Sequence, residues 1–193
     1  MTYRLFLGSG SPRRADLLKQ MGVDFEQRIL DVEEIYPQEI KGVEITDFLA
    51  HLKGKAHQPQ LQQNELVLTA DTIVWFDDIA LGKPKNEAHI IEMISKLSGQ
   101  THEVITSVCL SSKEKQTCIH AKTKVTMGIL SKEDITHYAK TYKPLDKAGG
   151  YGIQDWIGLI GVSKIVGSYT NVVGLPTEKT YQLLLPYFPS IKQ

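Results

Sequence analysis

Arg4-Leu5-Phe6-Leu7-Gly8-Ser9-Gly10-Ser11-Pro12-Arg13-Arg14 is the stretch that decides how this chain begins to fold. Its first four residues predict a short buried strand, and the glycines and serines after them predict a tight turn. Residues 15–21 then place apolar side chains at helical spacing. Ser11 is a typical N-cap and Pro12 a typical first helical residue. The stretch therefore predicts a strand, a turn and a helix N-terminus at one sheet edge.

The start of this helix favours an anion. Its free backbone N–H groups and its positive dipole end attract negative charge. Arg13 and Arg14 in the first turn oppose that dipole by up to about 1 kcal/mol each, so a bound polyanion would explain them better than stability does. An ordinary connection with solvent-exposed arginines is the alternative. The stretch lacks the ending of a P-loop and the third glycine of a dinucleotide fingerprint.

Length and composition indicate an ordinary globular protein. The chain has 193 residues, of which 41% are hydrophobic and 23% are charged, with a formal net charge of zero. The absence of a basic excess argues against a nucleic-acid-binding protein. No signal-peptide pattern and no apolar run of membrane-spanning length occurs. We therefore expect a cytoplasmic protein without a membrane anchor.

An aspartate interrupts the most apolar run of the sequence. Residues 66–76 predict a central strand, and Asp71 lies in its middle. Because a buried carboxylate is costly without a partner, Asp71 needs a lysine, an arginine, a helix end or a metal. Backbone amides at a strand end are the alternative. The acidic loop at residues 31–34 is either a solvated loop or part of a divalent-metal site.

Two later loops carry polar groups suited to binding. Gly82-Lys83-Pro84 places a lysine next to a stiffening proline, although a solvated loop lysine would look the same. The stretch at residues 146–155 has three glycines within four positions, which permit close backbone approach or positive φ. Charged, aromatic and amide side chains lie beside them. A binding loop is therefore favoured over a surface turn.

Between these features, the pattern predicts further elements. Residues 24–30 alternate as a half-buried strand, and Thr46 is expected to cap a helix that leaves Lys53 and Lys55 on its surface. Cys109 and Cys118 fall on the two arms of a predicted hairpin. In a reducing compartment they are expected to be buried thiols rather than a disulfide. The six histidines show no zinc-binding spacing, so a zinc enzyme is not expected.

Five motifs together resemble the Maf family of nucleoside triphosphate pyrophosphatases. They occur in the family's order: residues 9–14, residues 70–74, residues 82–84, residues 97–102 and residues 146–154. The resemblance implies a single α/β domain over residues 1–193, with two lobes about a bent mixed β-sheet flanked by helices and a central cleft. It also implies a homodimer. The implied reaction cleaves a nucleoside triphosphate between its α and β phosphates, with a divalent cation such as Mg²⁺ or Mn²⁺.

The resemblance and the chemistry of the residues together predict roles for single residues. Asp71 would act as general base and, with Glu34, hold the cation, while Lys83 would be a second catalytic residue. Arg13, Thr72 and Gln154 resemble the branch that prefers dTTP and UTP. The residues implied to bind substrate are Ser9, Ser11, Arg13, Arg14, Lys55, Thr72 and Gln154. Lys55 is the best match for the family's helix lysine, and Lys53, two residues earlier, leaves that assignment open.

Two other readings remain open from the sequence. One is a non-catalytic regulatory module that binds nucleotides or nucleic acid and is tied to division control. The neutral net charge and the embedded Asp71 count against it. The other is a related pyrophosphatase for ITP, XTP or 7-methyl-GTP.

Overall fold

The computed structural model describes residues 3–192 and contains helices and strands in a mixed arrangement. The strands are β1 (Arg4–Leu7), β2 (Glu26–Gln27), β3 (Glu65–Phe76), β4 (Ile79–Leu81), β5 (Thr101–Ser111), β6 (Gln116–Met127) and β7 (Val162–Val166). The α-helices are α1 (Pro12–Gln20), α2 (Val43–His57), α3 (Glu87–Leu97), α4 (Lys132–Tyr142), α5 (Trp156–Gly161), α6 (Tyr169–Val173) and α7 (Thr177–Leu184). The predicted α/β class is confirmed.

The strands of the described residues form one seven-stranded mixed sheet. Its order is β2-β1-β3-β5-β6-β7, and β4 pairs with β3 off this path. β1 runs parallel to both β2 and β3, whereas β4 is antiparallel to β3 and β7 is antiparallel to β6. Strands buried on both faces need continuous apolar runs, which explains the composition of β1 and β3. The opening strand, turn and helix are confirmed, with Ser11 at the N-cap and Pro12 at the first helical position.

The chain divides into two compact units. The described part of unit 1 consists of residues 3–71, 106–121 and 174–192, and unit 2 consists of residues 72–105 and 122–173. Unit 2 has its own apolar core, made by side chains of β3 to β6, α3 to α5 and the stretch at residues 146–155, which we call the glycine-rich loop: Val74, Leu81, Ile90, Ile94, Leu97, Val104, Val125, Met127, Ile135, Tyr138, Ala139, Tyr151, Ile153 and Ile157. The predicted single domain, bend and cleft stay predictions.

Helix α2 differs from its predicted form. It begins at Val43 after Gly42, which has a φ of 54°, so Thr46 lies inside the helix and is fully buried. The buried face of α2 includes two small residues. Thr46 Oγ1 shares a hydrogen bond of 2.6 Å with Ser107 Oγ, and Gly54 packs against Ser111 and Gln116. The predicted strand at residues 24–30 shrinks to β2, because only this pair aligns with β1.

The two cysteines form a disulfide between β5 and β6. They lie on the two arms of a hairpin, as predicted, but Cys109 and Cys118 are bonded to each other, so the expectation of free thiols is wrong for this structure. Ser112 N–H donates to the Lys115 carbonyl at 2.8 Å, and this register places the two cysteines opposite each other with Cα atoms 4.1 Å apart. Sequence spacing had given no information on that register.

Replacing Gly8 with alanine should lower the free energy of unfolding by about 1–3 kcal/mol, because the side chain would overpack the site. A Cβ atom there would lie 2.7 Å from His57 Nε2 and 2.8 Å from Thr69 Cγ2. Urea unfolding measures the change. Gly82→Ala is the control, since a Cβ at Gly82 meets no described heavy atom within 4 Å. The packing explanation requires that His57→Ala relieve part of the Gly8→Ala defect; additive effects of the two substitutions would contradict it.

Candidate active site

A lysine between two carboxylates forms the centre of the candidate site in unit 1. Asp71 lies on β3 with a side chain only 8% exposed, and its Oδ1 accepts a hydrogen bond from Lys53 Nζ at 2.7 Å. Glu34 Oε1 lies 2.8 Å from the same nitrogen. The structure thus supplies the partner that a buried Asp71 requires. Both carboxylates therefore contact the same atom, Lys53 Nζ.

The first turn of α1 adds a fixed positive charge. Arg14 Nε donates to the Gly174 carbonyl at 2.9 Å, and its Nη1 donates to Ser9 Oγ at 3.1 Å. Ser9 Oγ also accepts from the Ser11 backbone N–H at 3.3 Å. The serines of the opening turn therefore hold Arg14 and the turn together. Arg13 follows Pro12 on the same turn and is partly buried.

Electrostatics couple these groups to one another. Burial raises the pKa of the Asp71 carboxyl above its ordinary value, while the charges of Lys53 and Arg14 lower it and that of Glu34 raises it. Burial also lowers the pKa of the Arg14 guanidinium, and Asp71 raises it. Ser9, Arg14, Glu34, Lys53 and Asp71 therefore form one charged cluster, which we call the Asp71 cluster.

Lys53, rather than Lys55, faces the Asp71 cluster. Lys55 is exposed, whereas the Lys53 side chain is 15% exposed and binds both carboxylates. Two residues correspond to about 200° of rotation around an α-helix, so the two lysines point to opposite sides. The contacts that fix the rotation of α2, through Thr46 and Gly54, decide which lysine turns inward. The sequence left the choice between the two lysines open, and the structure places Lys53, not Lys55, beside Glu34 and Asp71, while a role of either lysine in substrate binding stays a prediction.

The remaining predicted residues lie in unit 2. Lys83 is exposed in the loop after β4, and that loop is tied to the glycine-rich loop because Gly149 N–H donates to the Gly82 carbonyl at 3.0 Å. Gly149 has a φ of 68° and packs closely on Val74, which only glycine allows without strain. Gln154 is exposed, and Thr72 is partly buried on β3, next to Asp71 in sequence.

A hydrogen-bonded tyrosine organises the glycine-rich loop. Tyr138 Oη donates to Asp155 Oδ2 at 2.7 Å and accepts from the Gly152 N–H at 3.1 Å. Lys147 Nζ lies 3.6 Å from the same carboxylate oxygen of Asp155. Burial and the neighbouring Asp155 raise the pKa of Tyr138, so its hydroxyl stays protonated and keeps donating. The backbone on either side of Gln154 is thereby fixed.

Replacing Tyr138 with phenylalanine should lower the free energy of unfolding by about 1–3 kcal/mol, because Asp155 and the Gly152 N–H both lose a buried partner. The measurement is urea unfolding. Tyr142→Phe is the matched control, since Tyr142 lies on the same helix, stacks on Tyr138 with ring centroids 5.0 Å apart and is 43% exposed. Equal effects of the two substitutions would contradict a specific role for the Tyr138 hydroxyl.

The donor set of the Asp71 cluster fits a hard divalent cation. Glu34 and Asp71 offer only oxygen ligands and converge within 2.8 Å of a single atom, Lys53 Nζ. Mg²⁺ is commonly held by one or two carboxylates together with substrate phosphates. Because each carboxylate has two oxygens, binding to Lys53 is compatible with binding a cation.

No helix of the described residues has the length and apolar character needed to cross a membrane.

Comparisons with known proteins agree on the family. The family described as Maf-like protein matches residues 4–186. The dTTP/UTP pyrophosphatase of Flavobacterium johnsoniae is 54% identical over 182 residues, covering 94% of each chain. The dTTP/UTP pyrophosphatase of Bacteroides fragilis is 48% identical over 183 residues, covering 94% of this chain and 95% of that protein.

Among solved structures, the Staphylococcus aureus Ham1 protein is 15% identical, with a TM-score of 0.47 over 64% of this chain and 71% of that one. The family match spans nearly all of the described residues, including the opening turn, Asp71 and the glycine-rich loop. With relatives near half identity over the same length, this chain belongs to the Maf family.

Proposed function

We propose that this protein is a nucleoside triphosphate pyrophosphatase that acts on dTTP and UTP. Water attacks the triphosphate, the bond between the α and β phosphates breaks, and a nucleoside monophosphate and pyrophosphate leave. The relatives at 46–56% identity carry the name of this activity, which supports the proposal over a non-catalytic module. The single observation that carries the mechanism is the contact of Lys53 with both Glu34 and Asp71.

Asp71 is the proposed general base. Its carboxylate is buried, and burial raises its pKa, which makes it a better proton acceptor than an ordinary aspartate. It takes a proton from the attacking water, while the Lys53 ammonium holds Oδ1 in place. General-base catalysis of this kind contributes about 10²–10⁴ in rate.

Positive groups would hold the triphosphate. Phosphoryl transfer depends mostly on positioning and charge stabilisation, so fixed cations do most of the work. Arg14 is held by Ser9 and Gly174, and its planar guanidinium suits phosphate oxygens. Arg13 and the N-terminal end of α1 are proposed to add further contacts. Lys83 is proposed as an additional point charge, since it is exposed on a fixed loop.

A divalent cation is the proposed cofactor. Glu34 and Asp71 would hold Mg²⁺ or Mn²⁺, as their shared contact with Lys53 supports. When bound, such a cation neutralises phosphate charge and orients the leaving group. Assay of pyrophosphate release with and without a chelator tests the requirement, and activity that survives exhaustive chelation would contradict it.

Gln154 and Thr72 are the proposed determinants of base choice. Gln154 is exposed at the end of a loop that Tyr138 fixes, and its amide offers both a donor and an acceptor to a pyrimidine edge. Gln154→Ala should lower the preference for UTP over ITP by about fivefold, because one base hydrogen bond is worth about 1 kcal/mol. The measurement is kcat/KM for UTP, dTTP, ITP and 7-methyl-GTP.

The matched control for this substitution is Gln100→Ala, on an exposed residue before β5. An unchanged substrate ratio in Gln154→Ala would remove Gln154 from base recognition. A wild-type preference for ITP or 7-methyl-GTP would replace the proposed substrate with that of the related pyrophosphatases. The homodimer and the cytoplasmic location stay predictions, and light scattering in solution tests the first.

A further inference from the structure

A second cluster of ligand atoms lies on α2, β5 and β6, apart from the groups that the proposed mechanism uses. It consists of His51, Cys109 and Cys118, whose nitrogen and sulfur ligand atoms all lie within 4.8 Å of one another. Within the described residues this is the one such group of three or more histidine, cysteine or acidic side chains. We propose that this cluster, once its disulfide is reduced, binds a thiophilic divalent cation such as Zn²⁺.

The distances suit a tetrahedral metal. Zn²⁺ binds sulfur at about 2.3 Å and histidine nitrogen at about 2.0–2.1 Å, so neighbouring ligand atoms lie roughly 3.3–3.8 Å apart. His51 Nδ1 lies 4.0 Å from Cys118 Sγ. Cys109 is opposite Cys118 on the neighbouring strand, so rotation about the side-chain bonds separates the two sulfurs without moving the backbone. Two thiolates and one imidazole would leave a fourth position to water.

Contacts other than the disulfide hold the elements that carry these three residues together. Gln116 Nε2 donates to the His51 carbonyl at 3.1 Å and to Ser111 Oγ at 2.9 Å, which joins α2 to both strands of the hairpin. Gly54 on α2 also packs against this hairpin. Reduction therefore leaves His51 beside both thiols. His51 and Cys118 are exposed, which gives an ion access from solvent, while Cys109 is buried.

The chemistry balances as two steps. A small dithiol gives two electrons and two protons to the Cys109–Cys118 bond, becoming a cyclic disulfide while both cysteines become thiols. Zn²⁺ then displaces one proton from each thiol and binds both thiolates and the neutral imidazole, so two protons are released for each ion bound. The disulfide-bonded protein lacks thiolates and cannot bind the ion in this way.

A neighbouring histidine provides a matched control. His120 lies on β6, two residues after Cys118, but its Nδ1 lies 3.3 Å from Asp47 Oδ2, which occupies that ring nitrogen. We therefore expect His120 to contribute nothing to this site. The proposed site also uses none of the Asp71 cluster, so its failure would leave the proposed enzymatic function untouched.

Cobalt binding tests the proposal, because Co²⁺ replaces Zn²⁺ and reports its ligands by absorption. The reduced full-length protein should bind one Co²⁺ and show thiolate-to-cobalt charge-transfer bands, which added Zn²⁺ removes. The disulfide-bonded protein should show none. Cys118→Ser should abolish the bands, and His51→Gln, which keeps both cysteines, should weaken Co²⁺ affinity by at least tenfold.

Three results of the Co²⁺ experiment would contradict the proposed site or one of its ligands. Bands that persist in Cys118→Ser, or a reduced wild-type protein without them, would overturn the site. A loss in His120→Gln as large as that in His51→Gln would overturn the assignment of His51. Circular dichroism of each variant verifies that the fold is retained, and His51→Gln still forms the disulfide, so its result does not depend on losing that bond.

Discussion

Replacing Asp71 with asparagine is expected to lower the rate of pyrophosphate release from UTP by about 10²–10⁴-fold, the contribution of a general base. The amide still accepts a hydrogen bond from Lys53 Nζ in place of the carboxylate oxygen at 2.7 Å, so the local packing is retained. The amide cannot take a proton from water. The measurement is kcat and kcat/KM for UTP under saturating Mg²⁺.

The stability of the same variant provides an independent check. Burial raises the pKa of Asp71 in the folded protein above its value in the unfolded chain, so ionising it costs stability. The cost is absent at pH values below the pKa of Asp71 in the unfolded chain. It grows as the pH rises and is complete above the pKa of Asp71 in the folded protein. Asparagine removes this cost because its amide does not ionise. Asp71→Asn should therefore be more stable relative to wild type at neutral pH than at acidic pH, as measured by urea unfolding.

Asp78 provides the matched control for the aspartate. It is exposed in the turn after β3 and has a φ of 58°, a conformation that asparagine adopts readily. Asp78→Asn should keep both the wild-type rate and the wild-type pH dependence of stability. Near wild-type pyrophosphate release by Asp71→Asn would contradict the role of Asp71, whatever its stability.

Replacing Lys53 with methionine is the second large effect, with an expected loss of about 10²-fold in kcat/KM. The ammonium makes contacts of 2.7 Å with Asp71 and 2.8 Å with Glu34, and charge-assisted hydrogen bonds are worth about 1.5–3 kcal/mol each. Methionine keeps much of the length of the side chain but removes the ammonium that contacts both carboxylates. The measurement is again kcat/KM for UTP.

The pH profile separates this electrostatic role from a merely structural one. The Lys53 charge lowers the pKa of Asp71, so its removal should raise that pKa and move the acid limb of kcat/KM to higher pH. Lys55→Met is the control, because Lys55 is exposed on the other side of α2, and it should change neither rate nor profile. If Lys55→Met were the more harmful substitution, the assignment of Lys53 would be wrong.

Local sequence patterns predicted the elements near the site because their signals are local. The strand, turn and helix at residues 4–20 follow from apolar spacing, an N-cap and a proline, and each signal needs only its neighbours in the chain. The interruption of an apolar strand by Asp71 likewise indicated a buried charge in need of a partner. Strand β2 was overestimated because alternation at residues 24–30 does not show how far a neighbouring strand extends.

By itself, the sequence determined the opening turn and the need of Asp71 for a partner, since propensity, spacing and desolvation are properties of residues and their neighbours. It indicated the α/β class through its resemblance to the Maf family. Only the tertiary structure decided that Lys53 is the partner of Asp71 and that Cys109 lies opposite Cys118 and bonds to it. Both outcomes depend on how one element is rotated or registered against another. A rotation of α2 by two residues would exchange the two lysines, and such a rotation is set by distant contacts of Thr46 and Gly54.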